Sequence, residues 1–280
     1  MIPAEFDYVA PETIEEALAA LRDGGEDAKL LAGGHSLLPL MKLRLAAPTL
    51  LVDLRRIPGL AGVNRSNGSV VLGAMATHHQ VATAGLGIAS AAAATIADQQ
   101  VRNRGTIGGT LAHGDPASDM PAILLALEGS VTVVGPQASR SIAAADLFED
   151  YLTTAVGEDE IITEVHLPAL EGYGHGYQKF NRRQEDWAMV AVSANVKKAA
   201  DGSCEDVRVG LTHMASVPLR ATAVEDALRG GGLDAQSIAA ASEQAAEGTS
   251  PPADLNATAD YKRHLARVLC RRALEEAAGA

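Results

Sequence analysis

Two glycine pairs constrain this chain more than any other feature: Ala32-Gly33-Gly34-His35-Ser36 and Thr106-Ile107-Gly108-Gly109-Thr110. Each lies beside an apolar run and is followed by small or helix-starting residues. Glycines have no side chains, so a ligand's charged groups can approach the backbone closely. A helix that starts just after such a turn adds partial positive charge. One glycine pair before a helix is usually just a turn. Two in one chain imply one long, doubly charged ligand held by backbone amides at two places.

The first pair sits in a strand–turn–helix–strand unit. Residues 29–32 read as a strand, 33–36 as the turn, 37–45 as a helix and 50–54 as a second strand. Pro39 is tolerable in the first helical turn, and Pro48 breaks the helix. Upstream, Thr13-Ile14-Glu15-Glu16 is a capping box that opens an amphipathic helix ended by Gly24-Gly25. Short strands over 70–73 and 131–134 bracket an alanine-rich helix over 89–97 and an apolar helix over 120–128. The composition changes at Gly172-Tyr173-Gly174-His175-Gly176, which predicts a domain boundary. Beyond it, strands over 190–196 and 207–211 are joined by an Asp201-Gly202 hairpin signal. Helical patterns follow over 223–228, 237–246 and 261–277, so the tail reads as a small α+β domain.

A chain of 280 residues, 47% hydrophobic, is long enough for two domains. Its formal net charge of -12 argues against nucleic acid and against an anionic membrane surface. The two cysteines, Cys204 and Cys270, cannot hold an iron–sulfur cluster or form a disulfide framework. They read as structural thiols in a reducing compartment. No N-terminal segment resembles a signal peptide, and no apolar run reaches the roughly 18 residues that span a bilayer. The expected location is cytoplasmic.

Neither glycine loop is a dinucleotide fingerprint of the Gly-x-Gly-x-x-Gly type, and no Gly-Lys-Ser/Thr follows to make a Walker loop. A flavin dinucleotide nevertheless fits two amide loops. Amides from Gly33 through Ser36, with the Ser36 hydroxyl, are candidate phosphate donors. Asp119 is a candidate partner for a ribose or ribitol hydroxyl, and Arg102 and Arg104 are either phosphate-neutralising or solvated. His78-His79 do not share a helical face and no His-Glu-x-x-His occurs, so no metal site is expected. His113-Gly114-Asp115 reads as a loop rather than an acid–base pair, and no Gly-x-Ser-x-Gly nucleophile turn is present. The polar run Asn181-Arg182-Arg183-Gln184-Glu185-Asp186-Trp187-Ala188 reads either as a hairpin loop with one anchoring aromatic or as a site where Trp187 covers a planar ring.

Together these motifs resemble the FAD-binding medium subunit of molybdenum hydroxylases, and most nearly the carbon monoxide dehydrogenase medium subunits. Ala32-Gly33-Gly34-His35-Ser36-Leu37-Leu38-Pro39 is similar to the family's first flavin motif. The stretch from Gln100 through Thr106-Ile107-Gly108-Gly109-Thr110 to His113 is similar to the second. The likeness continues through Asp159-Glu160-Ile161-Ile162, Tyr177-Gln178-Lys179-Phe180, Val217-Pro218-Leu219-Arg220 and Tyr261-Lys262-Arg263-His264-Leu265. It implies an α+β chain. A PCMH-type, vanillyl-alcohol-oxidase-like FAD domain would span residues 1–174, in lobes of about 1–55 and 56–174. A C-terminal domain over 175–280 would hold a three-stranded antiparallel sheet with helices.

Carried over by position, the resemblance implies that Ala32 to Ser36 bind the pyrophosphate region, with Leu37 also a cofactor-binding residue. Thr106, Ile107, Gly108, Gly109 and Thr110 would form the second FAD loop. Asp119 would hydrogen-bond FAD, Ile162 would make an apolar adenine-side contact, and Lys179 would lie near the flavin. Trp187 stands where an aromatic, commonly tyrosine, adjoins the isoalloxazine. Thr110 replaces a usual asparagine and Gly114 a usual alanine.

The implied function is electron transfer within an oxidoreductase. FAD, bound non-covalently, would take electrons from a [2Fe-2S] small subunit and release them to quinone or NAD. A molybdenum-cofactor large subunit would oxidise the substrate, in a dimer of heterotrimers located in the cytoplasm or at the inner face of the membrane. No residue of this chain is then catalytic in the hydroxylation. Two rival readings are a stand-alone flavin oxidase with FAD attached covalently at His35, and an assembly or sensor module that has lost its flavin.

Overall fold

The computed structural model describes residues 2–66 and 68–279. The N-terminal part is a parallel three-stranded sheet. It runs β1 (Asp7–Val9), α1 (Ile14–Gly24), β2 (Ala28–Leu31), α2 (Leu37–Lys42) and β3 (Leu50–Asp53), in strand order β1-β3-β2. Helix α1 buries Ala17 and Leu21 against Val52 and Leu54. Thr13 Oγ1 accepts from Glu16 N at 3.1 Å, as the capping box predicts. The reciprocal bond is displaced by one residue: the Glu16 carboxylate accepts from Glu12 N rather than from Thr13 N.

The central part is a five-stranded antiparallel sheet covered by short helices. Its elements are β4 (Val63–Ser66), β5 (Ser69–Gly73), α3 (His78–Thr83), α4 (Ile88–Ala94), α5 (Gln99–Arg102), α6 (Ile107–His113) and α7 (Asp119–Ala126). Then come β6 (Ser130–Val134), β7 (Ser139–Ala143), α8 (Ala144–Leu147), the small ribbon β8 (Phe148–Asp150) with β9 (Thr153–Thr154), and β10 (Ile161–Pro168). Strand β10 comes last in the chain but lies in the middle, in the order β4-β5-β10-β6-β7. Helix α7 is apolar on every side because it is buried on every side. It packs on α4 and α6 and also against strands of the C-terminal sheet.

That sheet comprises β11 (Tyr173–Phe180), β12 (Val190–Lys198), β13 (Cys204–Thr212) and β14 (Leu219–Arg220), followed by α9 (Thr222–Leu228), α10 (Ala235–Ser242) and α11 (Ala259–Ala278). It has four strands rather than the expected three. The extra strand is two residues long, between Pro218 and the start of α9, too short to show any alternation in sequence. Gly174 and Gly176, at the predicted boundary, lie inside β11. A Cβ at either would come within 2.0 to 2.2 Å of the Ala277 and Ala273 carbonyl oxygens. Their role is to let α11 lie directly on the strand's backbone. Cys204 and Cys270 are buried free thiols, and burial pushes Cys270 up to about 12.

One ion network ties this domain to the central part. Arg220 grips the buried Glu225 through two bonds of 2.7 and 2.8 Å and reaches Glu128 at 3.0 Å. Glu225 also accepts from Val209 N at 2.8 Å. Removing Glu225 leaves Arg220 with Glu128 alone and the buried Val209 N–H without this acceptor. Glu225→Ala is therefore expected to lower stability by about 3 kcal/mol in a denaturant titration. An unchanged midpoint would show that solvent compensates Arg220 fully.

Candidate functional site

The two glycine loops meet backbone to backbone. A Cβ on Gly33 would stand 2.3 Å from the Arg104 carbonyl oxygen and 2.7 Å from Gly105 Cα. Only glycine permits this approach, so residues 33–36 rest on the segment that enters the second loop. Gly34 takes a φ of +76°, a left-handed conformation suited to glycine. Leu38 N then donates to Gly34 O, which opens α2. Among the described residues, the amides of Gly33, Gly34, His35, Ser36 and Leu37 have no protein acceptor. All five residues line one cavity.

The second loop differs. Thr106 is the N-cap of α6, and its hydroxyl accepts from Gly109 N at 3.2 Å. Ile107 N donates to Ala76 O, Gly108 N to Ala74 O and Thr110 N to Thr106 O. A Cβ on Gly108 would lie 2.5 Å from the Ala74 side chain. The expectation that both loops offer amides is thus corrected: the donors of residues 107–110 are committed within the protein. Glycine marks close backbone approach, whether the neighbour is a ligand or another strand, and the sequence does not distinguish the two.

The remaining expected residues come from distant segments. Asp119, the first residue of α7, is 4% exposed. Its Oδ2 accepts from Lys179 Nζ at 2.9 Å, and its Oδ1 accepts from the Tyr177 hydroxyl. Lys179 Nζ also reaches Thr95 O at 3.4 Å. Burial first, and the Asp119 carboxylate next, push the Tyr177 phenol well above its ordinary pKa, so it remains a proton donor. Each Asp119 oxygen keeps a further lone pair for a ligand hydroxyl. Tyr177 has no role in the sequence reading. Its signal was the two-residue strand period that puts it on the same face as Lys179.

The cavity is about 600 Å³, within the range of roughly 300–1,000 Å³ usual for cofactor sites. Ala32 to Leu37, Thr106, Gly108 to Thr110, Asp119, Ile162, Lys179 and Trp187 all line it. Ile107 does not, being packed in the core of the central part. His78 lines the cavity too, and the sequence reading gave it no role. Burial, helped by the charge of His35, lowers its pKa to about 4, so it is neutral. Its Nδ1 has no partner among the described residues. The His35 pKa is also lowered, by burial and by Arg104.

Trp187 stands in the hairpin loop between β11 and β12, as one of the two readings of that run requires. The indole is 55% exposed, so it is not the anchor of the hairpin. Asn181 Nδ2 bridges Gln184 O and Asp186 O inside the loop, and Ala188 is held from outside by His213. The site can therefore hold an extended anion along the first loop, with an ion pair at one wall and an aromatic at the rim.

Comparison with known proteins gives two family matches. Residues 4–170 match the FAD binding domain in molybdopterin dehydrogenase. Residues 175–277 match the CO dehydrogenase flavoprotein C-terminal domain. The carbon monoxide dehydrogenase medium chain of Hydrogenophaga pseudoflava is 40% identical over 99% of this chain and 98% of its own length. The 6-hydroxypseudooxynicotine dehydrogenase complex subunit alpha of Paenarthrobacter nicotinovorans is 38% identical over 99% and 96%. The crystal structure of quinoline 2-oxidoreductase from Pseudomonas putida 86 superposes with a TM-score of 0.95, at 32% identity, over 100% of this chain and 99% of that one. Among the described residues, no helix is long and apolar enough to cross a membrane.

Proposed function

The chain belongs to the family of FAD-binding medium subunits of molybdenum hydroxylases, and from that premise we propose that it relays electrons inside such an oxidoreductase. It receives them from a [2Fe-2S] small subunit and passes them to an external acceptor, quinone or NAD. The substrate is oxidised at the molybdenum cofactor of a large subunit, and the assembly is a dimer of heterotrimers in the cytoplasm. One observation carries the reading: among the described residues, the amides of residues 33–37 have no protein acceptor, and these residues line a cavity together with the Asp119–Lys179 pair.

Bound FAD supplies the redox chemistry, linking one-electron donors to a two-electron acceptor. The chain's part is to bind and orient. The amides of Gly33 to Leu37, with the Ser36 hydroxyl, hold the pyrophosphate. Gly108 and Gly109 give it a close floor without side chains, flanked by Thr106 and Thr110. Asp119, fixed by Lys179 and Tyr177, takes a sugar or ribitol hydroxyl. Ile162 packs the adenine side, and Trp187 shields the ring system at the cavity rim. Relatives of nearly equal identity are named for carbon monoxide and for 6-hydroxypseudooxynicotine. Overall similarity to this chain therefore does not track the substrate, and specificity is placed in the large subunit.

Purified complex is expected to contain one FAD per chain, released into the supernatant on acid precipitation. Flavin that stays with the polypeptide would favour covalent attachment, with His35 the candidate residue, and defeat the non-covalent assignment. A chain without flavin absorbance that takes up none on addition would defeat the whole reading.

A further inference from the structure

A buried polar relay outside the cavity ends on the loop that carries Trp187. Lys262, on α11, is completely buried. Its Nζ donates to Asp254 Oδ2 at 2.7 Å and lies 3.3 Å from His213 Nε2. The opposite ring nitrogen, His213 Nδ1, is 2.8 Å from the Ala188 carbonyl oxygen. A carbonyl only accepts, so Nδ1 carries the proton. Nε2 is then the lone pair that receives the Lys262 ammonium. This fixes one neutral tautomer and one ring orientation. The His213 backbone N–H also donates to Pro116 O, in the loop that leads to Asp119. His213 holds a φ of +64°, which is uncommon for a side chain of its size.

Two loops that reach the cavity are thus clamped by one residue, and that residue is oriented by a lysine of the C-terminal helix. We propose that His213, oriented by Lys262, is a positioning residue that sets where Trp187 stands against the cavity. The cofactor meaning of that position rests on the reading of the cavity as the FAD site. The position itself does not. Asp254 acts behind the lysine: the amides of Asn256 and Ala257 bond its Oδ1 at 2.7 and 2.9 Å, leaving Oδ2 for Lys262. Burial alone would raise the Asp254 pKa, but Lys262 and these amides outweigh it and hold it at about 2, so the carboxylate stays charged.

Trp187 is the chain's single tryptophan, so its emission reports this loop alone. The test uses the full-length chain without added flavin, with acrylamide quenching and fluorescence anisotropy as readouts. His213→Leu removes both ring bonds. Loss of one net hydrogen bond moves the closed-to-open ratio of the loop about fivefold toward open, so quenching rises and anisotropy falls. His213→Asn places an amide N–H where Nδ1–H stood and tolerates the left-handed backbone, so it restores values near the parent. Quenching unchanged in His213→Leu overturns the proposal, as does an asparagine variant as loose as the leucine one. Should His213→Leu fail to fold, Lys262→Met keeps the Nδ1 donor but frees the ring. Higher quenching there supports the relay, and parental quenching overturns it. Flavin titration of the same proteins reports separately. Loosened Trp187 emission with parental FAD affinity keeps the positioning role and removes only its link to the cofactor.

Discussion

Replacing Gly33 with alanine is expected to raise the dissociation constant for FAD by about 100-fold or more, more than any other single methyl group added to the glycine loops. The new Cβ would sit 2.3 Å from the Arg104 carbonyl oxygen and 2.7 Å from Gly105 Cα, which are backbone atoms that cannot rotate away. The first loop must lift off the second, and the amides proposed to hold the pyrophosphate move with it. Two charge-assisted hydrogen bonds lost at about 1.5 kcal/mol or more each give that factor. Overpacking adds about 1–3 kcal/mol of instability. Gly34→Ala is the milder control. Its close neighbour is Leu38 Cδ1 at 2.9 Å, a movable side-chain end, although the φ of +76° adds strain. Gly108→Ala should act mainly on stability, because its Cβ meets the buried Ala74 and the amides there already have protein acceptors. Flavin-fluorescence titration and thermal melts separate the three. Equal affinities for the Gly33 and Gly34 variants would show that the loop–loop contact does not aim the amides.

The second large effect concerns Asp119 and Lys179. Their 2.9 Å contact is almost wholly out of water, with side chains 4% and 6% exposed. Asp119→Ala leaves an ammonium with only the Thr95 carbonyl and is expected to cost about 3–5 kcal/mol. At about 2–4 °C per kcal/mol for a chain of this order, the melting temperature falls by roughly 6–20 °C. The double variant Asp119→Leu with Lys179→Met replaces the pair by apolar groups and should recover most of that loss. FAD affinity should not recover, because the apolar pair offers no acceptor for a sugar hydroxyl. Calorimetry and flavin titration on the single and double variants make the test. Parental FAD affinity in the double variant would make the pair scaffold only.

Much of the site was legible because its chemistry is local. Gly33-Gly34 before Ser36 and Pro39 predicts a turn and a helix start, and both are present. The apolar run ending at Val52 and the Asp201-Gly202 hairpin follow from the same short-range rules. What was not legible depends on neighbours distant in sequence. Thr106 to Thr110 looks like a second amide donor, but the carbonyls of Ala74 and Ala76, more than thirty residues upstream, claim the amides of Gly108 and Ile107, and Thr106 claims those of Gly109 and Thr110. Trp187 read either as an anchor or as a ring cover, and its half-exposed place among the residues lining the cavity speaks against the anchor. His78 and His213 belong to no family motif, and the motifs that hold Tyr177 and Lys262 gave neither a role. Their roles come from burial and from partners on other elements.

The sequence by itself determined the class of ligand loop, the family resemblance and the absence of local metal or nucleophile signatures, because those rest on residue type and spacing. Tertiary structure alone decided which amides remain free, which carboxylate is already paired and what holds Trp187 in place. The physical reason is that a hydrogen-bond donor is available to a ligand only if no protein acceptor reaches it first. That competition is settled by segments the chain brings together only on folding.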